Sequence, residues 1–234
     1  MKLLHWYYDI MNLYGEYGNI AALQRLFTRH QIDCTVDRLS FGDKVPLDTY
    51  DFIYIGSGTE KNRNVVMQDM LSYQTAWKEL LSKNIPILLT GNAFEMLGQH
   101  ITDAHNVTHQ GLGLFDFTVR EQNKTRLTAD AIFTADFSDK PFIGFINKCS
   151  EITGIDTPLF HVQRGLGNRA DDPAEGLLSG QLYGTHLTGP VLIKNPHFLL
   201  WVARQILGDN TALSDTSLLY ETAAYEHTLT KLSE

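Results

Sequence analysis

The chain has 234 residues, enough for one large or two small domains, and its 43% apolar and 20% charged residues are those of an ordinary globular protein. A formal charge of −8 without a dense basic cluster argues against nucleic-acid binding. Two cysteines, Cys34 and Cys149, do not make a disulfide scaffold, and no apolar run approaches the roughly 20 residues that span a bilayer.

The opening residues, Met1 to Asp9, are too short and polar for a signal peptide, which predicts a cytoplasmic protein. Leu3 to Tyr8 reads as a buried strand. Asn19 is placed to cap a helix whose apolar face is Ile20, Leu23, Leu26 and Phe27. Cys34 to Leu39 alternates with period two, and Phe52 to Ile55 is a third strand running into Gly56-Ser57-Gly58. Val65 to Leu81 predicts one long helix, with Val66, Met70, Tyr73, Trp77 and Leu80 on a single side. A fourth strand, Ile85 to Leu89, precedes a short helix over Ala93 to Gly98. Such strand–helix alternation predicts βαβ units and a mainly parallel sheet.

From about Gly111 to Gly184 the pattern changes to short β-like segments: Leu114–Val119, Arg126–Thr134, Phe142–Ile146, Leu159–Gln163 and Leu177–Leu182. These predict antiparallel strands appended to the parallel core. Pro196 is suited to the first turn of a last long helix carrying Phe198, Leu199, Val202 and Ile206. The expected organisation is a single domain over 1–211 and an amphipathic tail over 212–234. His105 and His109 have i, i+4 spacing, but Asn106, Gly111 and Gly113 point to a loop with solvated histidines rather than a metal site. Trp6, Trp77 and Trp201 fall on apolar faces and are expected in the core.

Open α/β sheets bind ligands beyond the carboxyl ends of their strands. Three segments are expected there: Asn12 to Asn19, Gly56 to Glu60, and Thr90-Gly91-Asn92. Their glycines permit positive φ and let backbone N–H groups approach a ligand. Gly56-x-Gly58 lacks the third glycine of a dinucleotide fingerprint, and no phosphate loop with its lysine is present.

Taken in order, these segments resemble a known family. Asn12-Leu13-Tyr14-Gly15-Glu16-Tyr17-Gly18-Asn19-Ile20, Ile55-Gly56-Ser57-Gly58, Leu97-Gly98, Gly111-Leu112-Gly113-Leu114-Phe115-Asp116, Gly144-Phe145-x-Asn147, Gly165-x-Gly167-Asn168, Gly184-Thr185-x-Leu187-x-Gly189-Pro190 and Lys194-Asn195-Pro196 are similar to the motifs of class I glutamine amidotransferases of the cobyric-acid-synthase type. They are especially similar to those of the amidotransferase subunits of lipid II isoglutaminyl synthases, which partner a Mur-ligase-like subunit. The resemblance implies a three-layer α/β/α, flavodoxin-like fold, a glycine loop that supplies an oxyanion hole, a Mur-ligase-like synthetase partner in cell-wall or cobyric-acid-like amidation, and no cofactor.

It also implies a nucleophilic cysteine and a histidine base. Anchored on Leu97-Gly98 the nucleophile position falls on Gly91, and anchored on Gly189-Pro190 the base position falls on Thr188. The arginine of a carboxylate-binding loop falls on Glu151, which reverses the charge. A catalytically silent, amidotransferase-like subunit is therefore the leading expectation. One alternative is an active amidotransferase or hydrolase with a relocated nucleophile, Cys149, served by His186 and with Asp9, Glu60 and His161 nearby. The other is a binding module that holds a polar small molecule. Asn12, Tyr14, Glu16, Gly56, Ser57, Gly58, Asn92, Thr188 and Glu151 are the candidate ligand-facing residues.

Overall fold

The computed structural model describes residues 1–122, 126–208, 213 and 218–234. Its strands are β1 (Lys2–Trp6), β2 (Thr35–Leu39), β3 (Phe52–Ile55), β4 (Ile87–Thr90), β5 (His100–Thr102), β6 (Thr108–Gln110), β7 (Thr118–Glu121), β8 (Leu127–Ala135), β9 (Ser138–Lys148), β10 (Ser150–Thr153), β11 (Phe160–Arg164), β12 (Ala174–Glu175), β13 (Leu177–Ser179) and β14 (Leu182–Thr185). Its α-helices are α1 (Tyr17–Arg29), α2 (Glu60–Met70), α3 (Gln74–Lys83), α4 (Val191–Lys194), α5 (Pro196–Leu207) and α6 (Leu219–Ser233).

The main sheet has the order β13-β14-β4-β3-β1-β2, parallel except for the edge strand β13. Strands β3 and β4 are buried at every position, as continuous apolar runs should be when helices cover both faces of a sheet. One face packs Leu4, Trp6, Ile53 and Leu89 against Met67, Met70, Trp77 and Leu80 of α2 and α3. The other packs Leu3, Phe52 and Leu88 against Leu23 and Phe27 of α1 and Phe198 and Val202 of α5. Strand order reverses between β1 and β3, so the loops after β1, β3 and β4 open on the switch-point crevice.

Two further four-stranded sheets flank this core. In the order β10-β7-β5-β6, the β5–β7 pair is parallel and the others are antiparallel, whereas β12-β11-β8-β9 is antiparallel throughout.

Several expectations need correction. The first strand ends at Trp6, because Tyr7 turns to φ 55. Asn19 is not a cap: α1 starts at Tyr17, whose N–H donates to Asn12 Oδ1 at 2.7 Å, and Asn19 is buried inside the helix. The single helix over 65–81 is two helices, α2 and α3. Helix α2 begins earlier, at Glu60, where Thr59 Oγ1 accepts from Asn62 N at 3.1 Å. A tight 3-10 turn over Leu71–Tyr73 separates it from α3, and Ser72 Oγ donates there to the Asp69 carbonyl at 2.7 Å. Both helices keep their apolar residues toward the same core, which is why one periodicity ran through the break.

Leu177 to Leu182 is a hairpin rather than one strand, turning at Gly180 (φ 56), and it belongs to the main sheet through β14. The segment holding His105 and His109 is also a hairpin, β5–β6, in which His109 Nε2 lies 2.9 Å from Asp103 Oδ2. Trp6 and Trp77 are fully buried, while Trp201 is partly buried and stacks on Phe137. Pro196 opens α5 as expected. Ala212 lies outside the described residues. Beyond it α6 packs on the body of the chain, with Tyr225 buried against Ile132 and Ile143 and its hydroxyl donating to the Pro141 carbonyl at 2.7 Å. No described helix is long and apolar enough to cross a membrane.

Candidate functional site

The loops after β1, β3 and β4 meet around a cleft of about 240 Å³. Tyr14, Ser57, Gly58, Asn92 and Cys149 line it, joined by Glu60, Arg63, Glu95, Arg126, Asn147 and Ser150. Asn12, Glu16, Gly56, Gly91, His186, Thr188 and Glu151 are not part of its wall.

Strand β4 ends at Thr90, and Gly91 turns the chain with φ 60 into the 3-10 segment Gly91–Leu97. A Cβ added at Gly91 would lie 2.3 Å from Ser57 Oγ and 2.4 Å from Ser57 Cβ. Ser57 is only 5% exposed, yet its hydroxyl makes no hydrogen bond with the described residues and borders the cleft. Gly58 N–H donates to Asn92 Oδ1 at 3.0 Å, and Asn92 Nδ2 returns a bond to the Gly58 carbonyl at 2.8 Å. A backbone donor of the glycine loop is thereby taken up by a side chain.

Thr188 is buried, and both its N–H and its Oγ1 donate to the Phe145 carbonyl at 3.0 Å. His186 does not join it. The imidazole is buried edge-on to Phe94, with Nε2 3.1 Å from Glu95 Oε1 and Nδ1 3.3 Å from Glu175 Oε1. Arg63 Nη1 meets Glu95 Oε2 at 2.6 Å, Arg63 Nη2 meets Glu121, and Ser150 Oγ donates to Glu95. Burial opposes ionisation of Glu95, but the His186 hydrogen bond and the Arg63 charge outweigh it and hold the carboxyl at about 2.

Cys149 and His186 do not pair. Cys149 Sγ donates instead to Glu60 Oε1 at 3.3 Å. Burial, with the Glu60 carboxylate next, pushes the thiol up to about 12, so it stays protonated at neutral pH. Thiolates, not thiols, are the nucleophiles. Of the other residues expected nearby, Glu60 lines the cleft. Asp9 is bonded by Ser40 Oγ, and His161 is exposed on β11, 3.4 Å from Asp136.

Residues 2–196 match the family described as the CobB/CobQ-like glutamine amidotransferase domain. The chain belongs to that family. Among curated proteins it is 29% identical over 195 residues to the lipid II isoglutaminyl synthase (glutamine-hydrolyzing) subunit GatD of Staphylococcus aureus, covering 83% of this chain and 79% of the relative. It is 26% identical to the GatD subunit of Streptococcus pneumoniae, covering 83% and 76%. Among solved structures, a glutamine amidotransferase from Thermotoga maritima superposes with a TM-score of 0.54 at 14% identity, over 97% of this chain and 89% of that one. Another glutamine amidotransferase gives 0.59 at 11% identity, over 88% and 99%. Both share the fold.

In this amidotransferase domain the remaining candidates hold loops in place. Asn12 binds the start of α1. Glu16 is fully buried and its Oε2 accepts from Tyr54 Oη at 2.7 Å and from Thr90 Oγ1, while Oε1 accepts from Gly189 N at 3.2 Å. Burial raises its pKa, and those hydrogen bonds offset only part of the rise. A Cβ at Gly56 would meet the Met11 carbonyl at 2.5 Å, so the loop after β3 fits under the loop after β1 only as glycine. Tyr14 accepts at its hydroxyl from Asn147 Nδ2 at 2.9 Å, and Asn147 Oδ1 accepts from Arg126, which also pairs with Glu60. Glu151 sits apart on β10, accepts from Gln122 at 2.9 Å, and borders a separate depression with Arg169 and Asp171.

Sequence reasoning missed Arg63, Glu95 and Glu175. The signal was available for two of them. Arg63 falls on the apolar stripe of Val66 and Met70, and Glu95 interrupts the apolar run Ala93 to Leu97. No pattern marked Glu175, on a two-residue strand.

Proposed function

We propose that this chain is the amidotransferase-like subunit of a complex with a Mur-ligase-like synthetase, and that it does not itself hydrolyse glutamine. Both curated relatives are named as subunits of lipid II isoglutaminyl synthase and align over most of this chain. The observation that carries the second clause is Gly91. It stands at the turn out of β4, where the motif order puts the nucleophile, and it has no side chain to attack a carboxamide. Removing one member of a nucleophile–base unit costs several powers of ten in rate. Two features point the same way: Thr188 offers only a hydroxyl committed to a carbonyl, and Gly58 N–H is engaged by Asn92. The subunit would then serve by docking on its synthetase partner. The test is glutamate release from glutamine by the purified chain, alone and with the synthetase co-purified from its host. No release above a mock preparation is expected, together with stable co-elution; release that disappears in Cys149→Ala would sink the proposal.

One observation favours a second reading at the same cleft, a site for a polar small molecule. Ser57 lines the cleft, and its hydroxyl has no hydrogen-bond partner among the described residues. A thermal-shift screen of amino acids and nucleotides tests it: stabilisation that is lost in Ser57→Ala supports a ligand there, and a uniformly flat screen removes the reading.

A further inference from the structure

The space that a nucleophile's Cβ would occupy is not empty. We infer that Ser57 closes it: side chains at positions 57 and 91 exclude each other, so residue 57 decides whether the turn after β4 can carry a reactive group at all. The inference extends the reading of Gly91 as the nucleophile position.

The geometry is tight at two atoms of Ser57, and the two differ in what they allow. Ser57 Oγ, 2.3 Å from the added Cβ, can swing away about χ1. Ser57 Cβ, at 2.4 Å, cannot move without its backbone. Nonbonded carbons normally stay about 3.5 Å or more apart.

Neither backbone is free to retreat. The Ser57 carbonyl accepts from Leu13 N at 2.9 Å, and Gly58 is held to Asn92 in both directions. Gly56 sits against the Met11 carbonyl, where even a Cβ would not fit. On the other side, Thr90 is fixed by Glu16 and by the Tyr54 hydroxyl at 2.8 Å, and Asn92 by the same Gly58 bonds. Gly58 and Asn92, which follow the two positions, are therefore tied to each other, and Gly56 and Thr90, which precede them, are each held by the surrounding loops. The only inexpensive relief is removal of the Cβ at 57, and alanine does not provide it.

Gly91 also carries a cost of its own, because φ 60 is strained for any other residue. A double-mutant cycle separates this from the collision, since strain belongs to position 91 alone and exclusion to the pair.

The experiment compares wild type, Ser57→Gly, Gly91→Cys, the double variant Ser57→Gly with Gly91→Cys, and Ser57→Ala with Gly91→Cys. The readouts are Tm and peptide-resolved alkylation of the thiol introduced at position 91. Gly91→Cys alone is expected to lower Tm by roughly 5 °C or more. The same change made in the Ser57→Gly background is expected to cost less than half of that, with the new thiol alkylated from the cleft. The Ser57→Ala background is expected to give no relief. Additive Tm shifts, or equal relief from alanine and glycine, would overturn the inference. If Gly91→Cys yields no folded protein, recovery of folded protein in the Ser57→Gly background supports exclusion, and failure to recover it counts against it. Glutamate release, measured beside these, keeps the two ideas distinct. Turnover by the wild type removes the silent-subunit proposal and leaves the coupling standing, whereas additive shifts remove the coupling and leave the silent subunit.

Discussion

Thr90 belongs to two neighbouring parts of the strand-end rim that differ in kind. Behind it, Glu16 gathers Tyr54, Thr90 and Gly189 onto one buried carboxylate, while Asn19 joins Tyr54 at 2.8 Å to the N–H of Leu192 at 2.9 Å. These contacts bind the loop after β1, the ends of β3 and β4, and the turn before α4 into one unit. In front of it, the turn at Gly91 has a positive φ and no side chain, Ser57 fills the space beside it, and Asn92 is engaged with Gly58. The difference is energetic. A buried carboxylate with several donors cannot be removed without leaving those donors unsatisfied. A single side chain at the turn gathers no such set of donors, so its loss leaves no hydrogen-bonding group behind it unsatisfied. The residue at the turn can therefore change while the frame behind it persists.

If that contrast is sound, breaking the buried ion-pair and hydrogen-bond networks should unfold the protein and removing the cleft thiol should not. The largest effect is expected at Arg63, which neutralises the buried Glu95 and the nearly buried Glu121. Arg63→Met leaves Glu121 without its cation and Glu95 with only His186 and Ser150, and should cost about 3–5 kcal/mol in urea unfolding at pH 7. A loss under about 1 kcal/mol would mean that water reaches this network, and the frame is softer than described.

Glu16→Ala comes next, at about 3 kcal/mol, because Tyr54, Thr90 and Gly189 lose their shared acceptor. Glu16→Gln keeps an acceptor and should cost less than half as much. Equal losses would show that the negative charge, rather than the hydrogen bonds, is what the rim needs.

Acid should reveal the frame in two stages. Burial lowers His5 and His197 to about 4 from an ordinary 6.5. The unfolded chain thus takes up their protons first, and stability falls as pH drops from 6.5 to 4. Glu95, held at about 2 against an ordinary 4.5, contributes stability that is present above 4.5 and lost as pH falls toward 2. Denaturant midpoints measured across pH should show both stages, and His197→Phe should flatten the upper one only. The smallest effect belongs to the cleft: Cys149→Ala should shift stability by under about 1 kcal/mol, since only the Glu60 contact is lost. A larger shift would place Cys149 in the frame.

Much of this arrangement was legible in the chain. Buried runs such as Phe52 to Ile55 announced the parallel sheet, and glycines at their ends located the crevice. The motif order pointed to the family. The periodicity over 65–81 does not show the break between α2 and α3, because periodicity reports which face is buried and not whether the helix is continuous. Leu177 to Leu182 was assigned to the appended strands because sequence distance says nothing of which sheet a hairpin edge will join. Position alone makes Asn19 look like a cap, whereas its side chain bonds Tyr54 and Leu192, partners far away in the chain.

What the sequence determined by itself was composition, periodicity and motif order, and from these the family, the fold class and the crevice. Local patterns suffice there, because each strand and helix buries a face that its own residues specify. Only the tertiary structure decided that Cys149 faces Glu60 and not His186, that His186 joins Arg63 through Glu95, and that Ser57 fills the place beside Gly91. Those are contacts between residues 32 to 91 positions apart, set by how the sheets close on one another, and no spacing along the chain encodes a distance of that kind.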